Sequence, residues 1–299
     1  MKNDLNTDVQ NYLHYCEAKR GLSFNTLTAY RQDLLEYKKF VEAGNYSRWP
    51  EDAIDVETFL NYERSINKAI SSIKRMISSL RRFYKWLVKQ QLQQIDPMVQ
   101  IDAPKNKRKK PVTLTYEEVD RLLKQPSVDT KLGVRDRAIL ELLYATGMHV
   151  SEIINLKLED IYFDLNIIHV FGKGSKERLI PISTCAVNWI NKYVNDVRTN
   201  LISNANNDSD VLFLNSRGNQ LSRQAIWQMI KKYCKKAGIT KDVTPHTLRH
   251  TFAAHLLDNN ADLRVVQEIL GHVDNSQIYS NVTQKHIMEV YKQAHLRLS

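Results

Sequence analysis

Eight residues, Pro104-Lys105-Asn106-Lys107-Arg108-Lys109-Lys110-Pro111, divide this chain. A proline stands at each end, no apolar residue lies between, and five of the eight are cations, so the segment can neither continue a helix nor enter a core. It reads as an extended linker. The 103 residues before it and the 188 after it are each long enough to bury a core. Residues 1–103 carry 15 basic and 13 acidic side chains and residues 112–299 carry 23 and 20, so the linker's five cations supply half of the net charge of +10. Lys107 and Arg108 could lie along a phosphate backbone or simply face solvent; the sequence leaves both open.

Composition narrows the class. Hydrophobic residues at 42% and charged residues at 25% are ordinary for a soluble globular protein. No apolar stretch approaches the ~20 residues that cross a bilayer. The start Met1-Lys2-Asn3-Asp4 leads into no signal-peptide core, so a cytoplasmic protein without a membrane partner is expected. Cys16, Cys185 and Cys234 are odd in number and lack metal-ligand spacing, which suits buried or free thiols.

Before the linker the pattern is helical. Apolar residues recur at helical spacing around Val9-Tyr12-Leu13 and from Leu27 to Val41, with a turn and helix N-cap expected at Ser23-Phe24-Asn25-Thr26. A third helix is expected over Val56 to Ser65 and a fourth over Ile70 to Gln90. The fourth has an apolar stripe, Ile73, Ile77, Leu80, Tyr84 and Leu87, at spacings of three and four. From Arg64 to Lys89 there are eight Lys or Arg and no acid. Solvated helix faces usually mix signs, so this one is expected to face DNA, with Lys74, Arg75, Arg81, Arg82 and Lys85 as contacts.

After the linker, Thr115-x-x-Glu118 forms a capping box, and Val134 to Thr146 is an apolar helix ending at Gly147. A short helix from Ser151 to about Leu156 follows. Between Ile167 and Ile182, β-branched and aromatic residues flank Gly172-Lys173-Gly174-Ser175-Lys176-Glu177, a β-hairpin with Lys173 and Lys176 at its tip. Helices are expected again at about 185–197, 223–237, 247–259, 263–270 and 284–295. The fold is therefore mainly α, with one small sheet in the C-terminal domain.

The chemistry concentrates between Thr244 and Tyr279. Cutting a phosphodiester without metal needs a nucleophilic oxygen and cationic donors around the phosphorus, where negative charge builds up. His246, Arg249 and His272 are candidate donors, and Tyr279 is the candidate nucleophile. A metal-dependent nuclease would gather carboxylates around Mg²⁺. Asp136, Glu141, Glu152, Glu159 and Asp160 form no such group by spacing, so neither metal nor cofactor is expected. His250 and His255 suit structural roles on a helix.

Three runs carry a family resemblance: Tyr144-Ala145-Thr146-Gly147, Gly172-Lys173-Gly174-Ser175-Lys176-Glu177-Arg178, and Pro245-His246-Thr247-Leu248-Arg249-His250-Thr251-Phe252-Ala253. With the opening Leu22-Ser23-Phe24-Asn25-Thr26-Leu27-Thr28-Ala29-Tyr30, the chain resembles the tyrosine recombinases, and among them the bacterial Xer type, along nearly its whole length. The resemblance implies a two-domain clamp on duplex DNA. Residues 1–103 would be a SAM-like core-binding domain, 104–111 the linker and 112–299 the catalytic domain. It implies attack by Tyr279 on the scissile phosphate to give a 3′-phosphotyrosyl bond, with Lys173 as general acid and His246, Arg249 and His272 on the phosphate oxygens. It also implies four protomers on two DNA sites, a homotetramer or a heterotetramer with a second recombinase, with a DNA translocase as activator. The helix beyond Tyr279 would pack into a neighbouring protomer. Chromosome-dimer resolution is the implied task.

Two positions depart from the family. Where it carries an arginine that grips the phosphate, this chain has His149. Histidine offers one donor per direction and is charged only below a pKa near ~6.5. Losing a preorganised donor typically costs a hundred- to a thousand-fold in rate. Tyr279 also follows His272 by seven positions; the family has about nine, and two residues lost inside a helix would turn everything beyond them by ~200°. These departures give a second reading, a protein that binds its DNA site with little cleavage.

Overall fold

The computed structural model describes residues 4–104, 111–172, 177–202, 210–271 and 284–295. They gather into two units that divide between residues 108 and 109, each with its own apolar core.

The first unit holds α1 (Leu5–Ala18), α2 (Phe24–Ala43), α3 (Ala53–Ser65) and α4 (Ile70–Lys89), then a 3-10 turn at Pro97–Val99. Helix α4 organises it. All five stripe residues are buried, and Met76, Phe83 and Trp86 are buried beside them, because three- and four-residue spacings place both sets on one broad face. Phe83, Tyr84 and Trp86 meet Tyr12, Tyr37 and Trp49 in edge-on and tilted ring pairs, a geometry worth ~0.5–1.5 kcal/mol per pair beyond area burial. Helix α3 begins three residues earlier than its apolar pattern suggests, because the Asp52 carboxylate accepts from the Ile54 N–H and caps it.

The positive face of α4 is less free than its sequence implies. Arg75 donates to the Asp33 carboxylate at 2.8 Å and to the Ala29 carbonyl at 2.9 Å. Asp33 is fully buried and also accepts from the Ser79 hydroxyl. Arg81 donates to the Ile101 carbonyl, and the exposed Arg82 lies 5.9 Å from the Tyr30 ring centroid. Lys74 and Lys85 make no ion pair among the described residues. Arg75 and Arg81 are thus tied into the unit's own packing; Lys74, Arg82 and Lys85 keep their charge available.

The second unit runs α5 (Tyr116–Leu123), α6 (Lys131–Thr146), α7 (Val150–Asn155), β1 (Ile161–Tyr162), β2 (Ile167–Phe171), β3 (Glu177–Pro181), α8 (Thr184–Tyr193), α9 (Thr199–Ile202), α10 (Arg223–Lys236), α11 (Pro245–Asp258), α12 (Leu263–Leu270) and α13 (Gln284–Ala294). The Thr115–Glu118 capping box forms. The hairpin pairs β2 and β3 antiparallel with Ile168 opposite Ile180, and β1 adds a third strand beside β2. β1 is two residues long, too short for an alternation pattern to reveal it. The expected helix over 185–197 is instead α8 followed by a π-helical stretch, Val194–Arg198.

Helix α6 is the centre of this core and is buried over nearly its whole length. It stops at Gly147, which adopts φ +59° and donates its N–H to the Leu143 carbonyl. That left-handed cap needs glycine twice over, since an added Cβ would lie 2.4 Å from Phe252. Helix α13 completes the unit. It closes on its own chain, with Ile287, Tyr291 and Ala294 buried and the Tyr291 hydroxyl donating to the Ala145 carbonyl at 2.8 Å. The apolar surface it needs is already present on α11, α12 and β3 of the same unit.

Burial raises the Asp33 carboxyl to about 6, although Ser79 and Arg75 pull it down. A raised acid favours the fold below the unfolded value near 3.8, and that stability is lost as pH rises through about 6. Arg75→Ala should therefore cost the first unit about 3 kcal/mol at pH 7.5, where an unpaired buried carboxylate remains, and much less at pH 5. Hydrogen exchange of the slowest α4 amides measures this; equal losses at both pH values contradict it.

Candidate active site

Four chain segments meet at one pocket. The turn after α6 supplies Met148 and His149, the start of α7 supplies Val150 and Ser151, the start of α10 supplies Arg223, and the start of α11 supplies Pro245, His246 and Arg249. Its volume is about 120 Å³. Helix α11 is fixed by Thr244, whose side chain accepts from the Thr247 N–H, and by Pro245 in its first turn. His246 and Arg249 are three residues apart, so both project from one face of α11.

Arg249 is buried, and its two terminal nitrogens donate to the carbonyls of Gly147 at 2.6 Å and Leu270 at 2.5 Å. Those are the orphan carbonyls at the ends of α6 and α12, which carry partial negative charge. Burial lowers the guanidinium to about 10, which leaves it charged at neutral pH. A second arginine performs a similar task. Arg178, on β3, donates to both oxygens of Glu152 at 2.8 and 2.9 Å and to the Ile269 carbonyl at 2.9 Å. Burial pushes the Glu152 carboxyl upward, but the Arg178 hydrogen bonds outweigh it and hold the group below its usual range.

His149 stands at the N-cap of α7, half-buried, and its N–H donates to Glu152 at 2.8 Å. Its ring centroid lies 5.9 Å from that of the exposed His246. Burial lowers its imidazole first, and the Arg249 charge lowers it further against the opposing pull of Glu152. Both effects favour the neutral imidazole at pH 7, and a phosphate beside it would favour protonation.

Of the residues singled out by sequence, the structure gathers His149, His246 and Arg249 into one site. Lys173, Lys176, His272, Tyr279, Lys107 and Arg108 lie outside the described residues, although the flanking Arg178 and the end of α12 border the site. His255 is structural, bonded to the Tyr144 hydroxyl and the Leu114 carbonyl, while His250 is exposed. Sequence reasoning missed three contributors: Arg178, its partner Glu152, and Arg223. Glu152 had one local signal, its place three residues after His149 at a helix start; the others come from segments remote in sequence. No group of three metal-ligating side chains occurs among the described residues, and Asp136, Glu141 and Glu152 are each paired with an arginine.

Comparison with known proteins decides the family. The phage integrase family pattern matches residues 112–286, and that of the phage integrase N-terminal SAM-like domain matches residues 9–91. Tyrosine recombinase XerD of Lacticaseibacillus casei is 43% identical over 291 residues, which cover 97% of this chain and 98% of the relative. The chain belongs to the tyrosine recombinases of the phage integrase family. Tyrosine recombinase XerD of Oceanobacillus iheyensis is similar to it as well, 42% identical over 293 residues, which cover 97% of this chain and 98% of that relative. A crystal structure of the XerH site-specific recombinase, bound to a palindromic difH substrate in a post-cleavage complex, shares the tyrosine recombinase fold. Its TM-score is 0.70 at 21% identity, covering 94% of this chain and 83% of that one.

The neutral His149 makes a pH signature. Replacing it by arginine should speed cleavage about ten- to a hundred-fold at pH 8, and the advantage should narrow at pH 6, where the imidazole is more protonated. Groups common to both proteins cancel in the ratio. Single-turnover cleavage at both pH values reads it; a ratio independent of pH removes the charge of His149 from the account.

Proposed function

We propose that this protein is a site-specific DNA recombinase that cuts and rejoins duplex DNA through a covalent bond to Tyr279. The observation that carries the reading is the charged Arg249 beside His246 and His149 in a pocket sized for a small anion. Such a pocket stabilises negative charge that develops on non-bridging phosphate oxygens. The near-full-length likeness to relatives named tyrosine recombinase supports the same chemistry.

The steps follow from the side chains. The phenol of Tyr279 gives its proton to solvent and attacks the phosphorus. The bond to the 5′ oxygen breaks, and that oxygen takes a proton from Lys173. The DNA 3′ end stays on Tyr279 as a phosphoester, which keeps the bond energy for rejoining to another 5′ hydroxyl. His246, Arg249, His272 and a protonated His149 hold the phosphate. Lys74, Arg82 and Lys85 on α4, Lys107 and Arg108 in the linker, and Lys176 on the hairpin contact the DNA backbone, while Arg75 and Arg81 act mainly within the first unit. Four protomers act on two sites, alone or with a second recombinase, and a DNA translocase activates them. Resolution of chromosome dimers in the cytoplasm before cell division is the task that fits best. No helix among the described residues is long and apolar enough to cross a membrane. The second reading, site binding with little cleavage, gains nothing from the pocket, where His149 stands beside His246 and Arg249 in a place to touch phosphate.

A duplex selected from a random pool by the Tyr279→Phe protein, then nicked beside the cleavage point, lets the short fragment escape and traps the adduct. The unaltered protein should form a covalent complex undiminished by EDTA, and Tyr279→Phe should form none. An adduct that persists in Tyr279→Phe, or that needs added metal, overturns the reading.

A further inference from the structure

We infer that Arg223 is a catalytic residue whose guanidinium binds the scissile phosphate beside Arg249, as a further cation lining the same pocket. The inference rests on the reading of the pocket as a phosphodiester-cleavage site. Three guanidinium groups stand in or beside that pocket; Arg178 is committed, and Arg249 is partly so, keeping further N–H donors for phosphate. Arg249 spends both terminal nitrogens on the carbonyls of Gly147 and Leu270. Arg178 spends Nε and both terminal nitrogens on Ile269 and Glu152. Arg223 lines the same pocket, is exposed, and makes no hydrogen bond or ion pair with any described residue. Its planar fork of donors is intact and matches two oxygens of a phosphate.

Its backbone is well placed for this. Arg223 is the first residue of α10, directly after Ser222, whose hydroxyl accepts from the Ala225 N–H. The helix is anchored by buried Ile226, Met229, Ile230 and Tyr233, and the Tyr233 hydroxyl donates to the buried Asp136. The start of α10 is therefore anchored against the unit while the Arg223 side chain is exposed. A cation in the first turn of a helix faces the positive end of the macrodipole, which is unfavourable. No acidic partner among the described residues offsets that, whereas an anion in the pocket does. Beside His149, whose imidazole is held below its ordinary value, Arg223 adds a charge that does not depend on pH.

Charge-neutral DNA separates this role from an ordinary backbone contact. Cleavage rates are compared on the nicked duplex with a normal scissile phosphate and with a methylphosphonate there, which lacks the negative charge the guanidinium would neutralise. On the normal duplex, Arg223→Ala should cleave about a hundred- to a thousand-fold more slowly with DNA affinity lowered less than about ten-fold, and Arg223→Lys should recover part of the rate. On the methylphosphonate, Arg223→Ala should approach the unaltered protein. An unchanged rate in Arg223→Ala, a loss seen only in affinity, or a defect equally large on the methylphosphonate overturns the inference while leaving the proposed function standing. Absence of any adduct with the unaltered protein overturns both.

Discussion

The active-site geometry of this protein hangs on the buried guanidinium of Arg249. Two helices, α6 and α12, end with left-handed glycines, Gly147 at φ +59° and Gly271 at φ +70°, and each end points unpaired carbonyls toward the same place. Arg249 binds one carbonyl from each end, and Arg178 binds the Ile269 carbonyl next door while clamping Glu152. Glu152 in turn holds the backbone of His149. A single connected set of charge-assisted hydrogen bonds therefore sets the relative positions of α6, α7, α11, α12 and β3. Such networks are costly to break in part, since each member left behind would be an unpaired buried charge. The same rigidity that holds the fold is what preorganises donors for a phosphate.

This arrangement also explains how cations are allocated across the molecule. A basic chain does not present all its arginines to DNA. Arg75 is drawn inward by the fully buried Asp33, and Arg81, Arg135 and Arg137 are tied to carbonyls or acids of their own unit. Lys74, Arg82 and Lys85 on the first unit and Arg223 at the pocket are among the described residues that keep their charge for a polyanion. Arginine is favoured for the inward positions because its fork satisfies several acceptors at once, and lysine remains at the solvated ones.

Much of this was legible in the sequence, and the parts that were not share a cause. Helix α12 spans the residues its apolar period predicts, α4 buries its full stripe, and the Thr115–Glu118 box and the Gly147 stop stand where local chemistry put them. All are governed by neighbours within four residues. His246 and Arg249 were legible because helical spacing alone puts them on one face. Asp33 with Arg75, 42 residues apart, and Glu152 with Arg178, 26 apart, are long-range pairs with no local signature. Arg223 resembled any exposed arginine until α10 brought it to the pocket. Helix α13 was legible as a helix but its packing was not, because helical periodicity states that a face is covered without saying by what.

A vanadate complex tests the account most directly. Vanadate adopts the five-coordinate geometry of a phosphorus under attack, so a crystal structure of the protein with a cleaved duplex and vanadate images the reaction centre. The account predicts vanadium bound in the pocket formed by His149, Arg223, His246 and Arg249, with the Tyr279 oxygen as one apical ligand. Vanadium outside that pocket, or an apical position filled by any other residue, contradicts it.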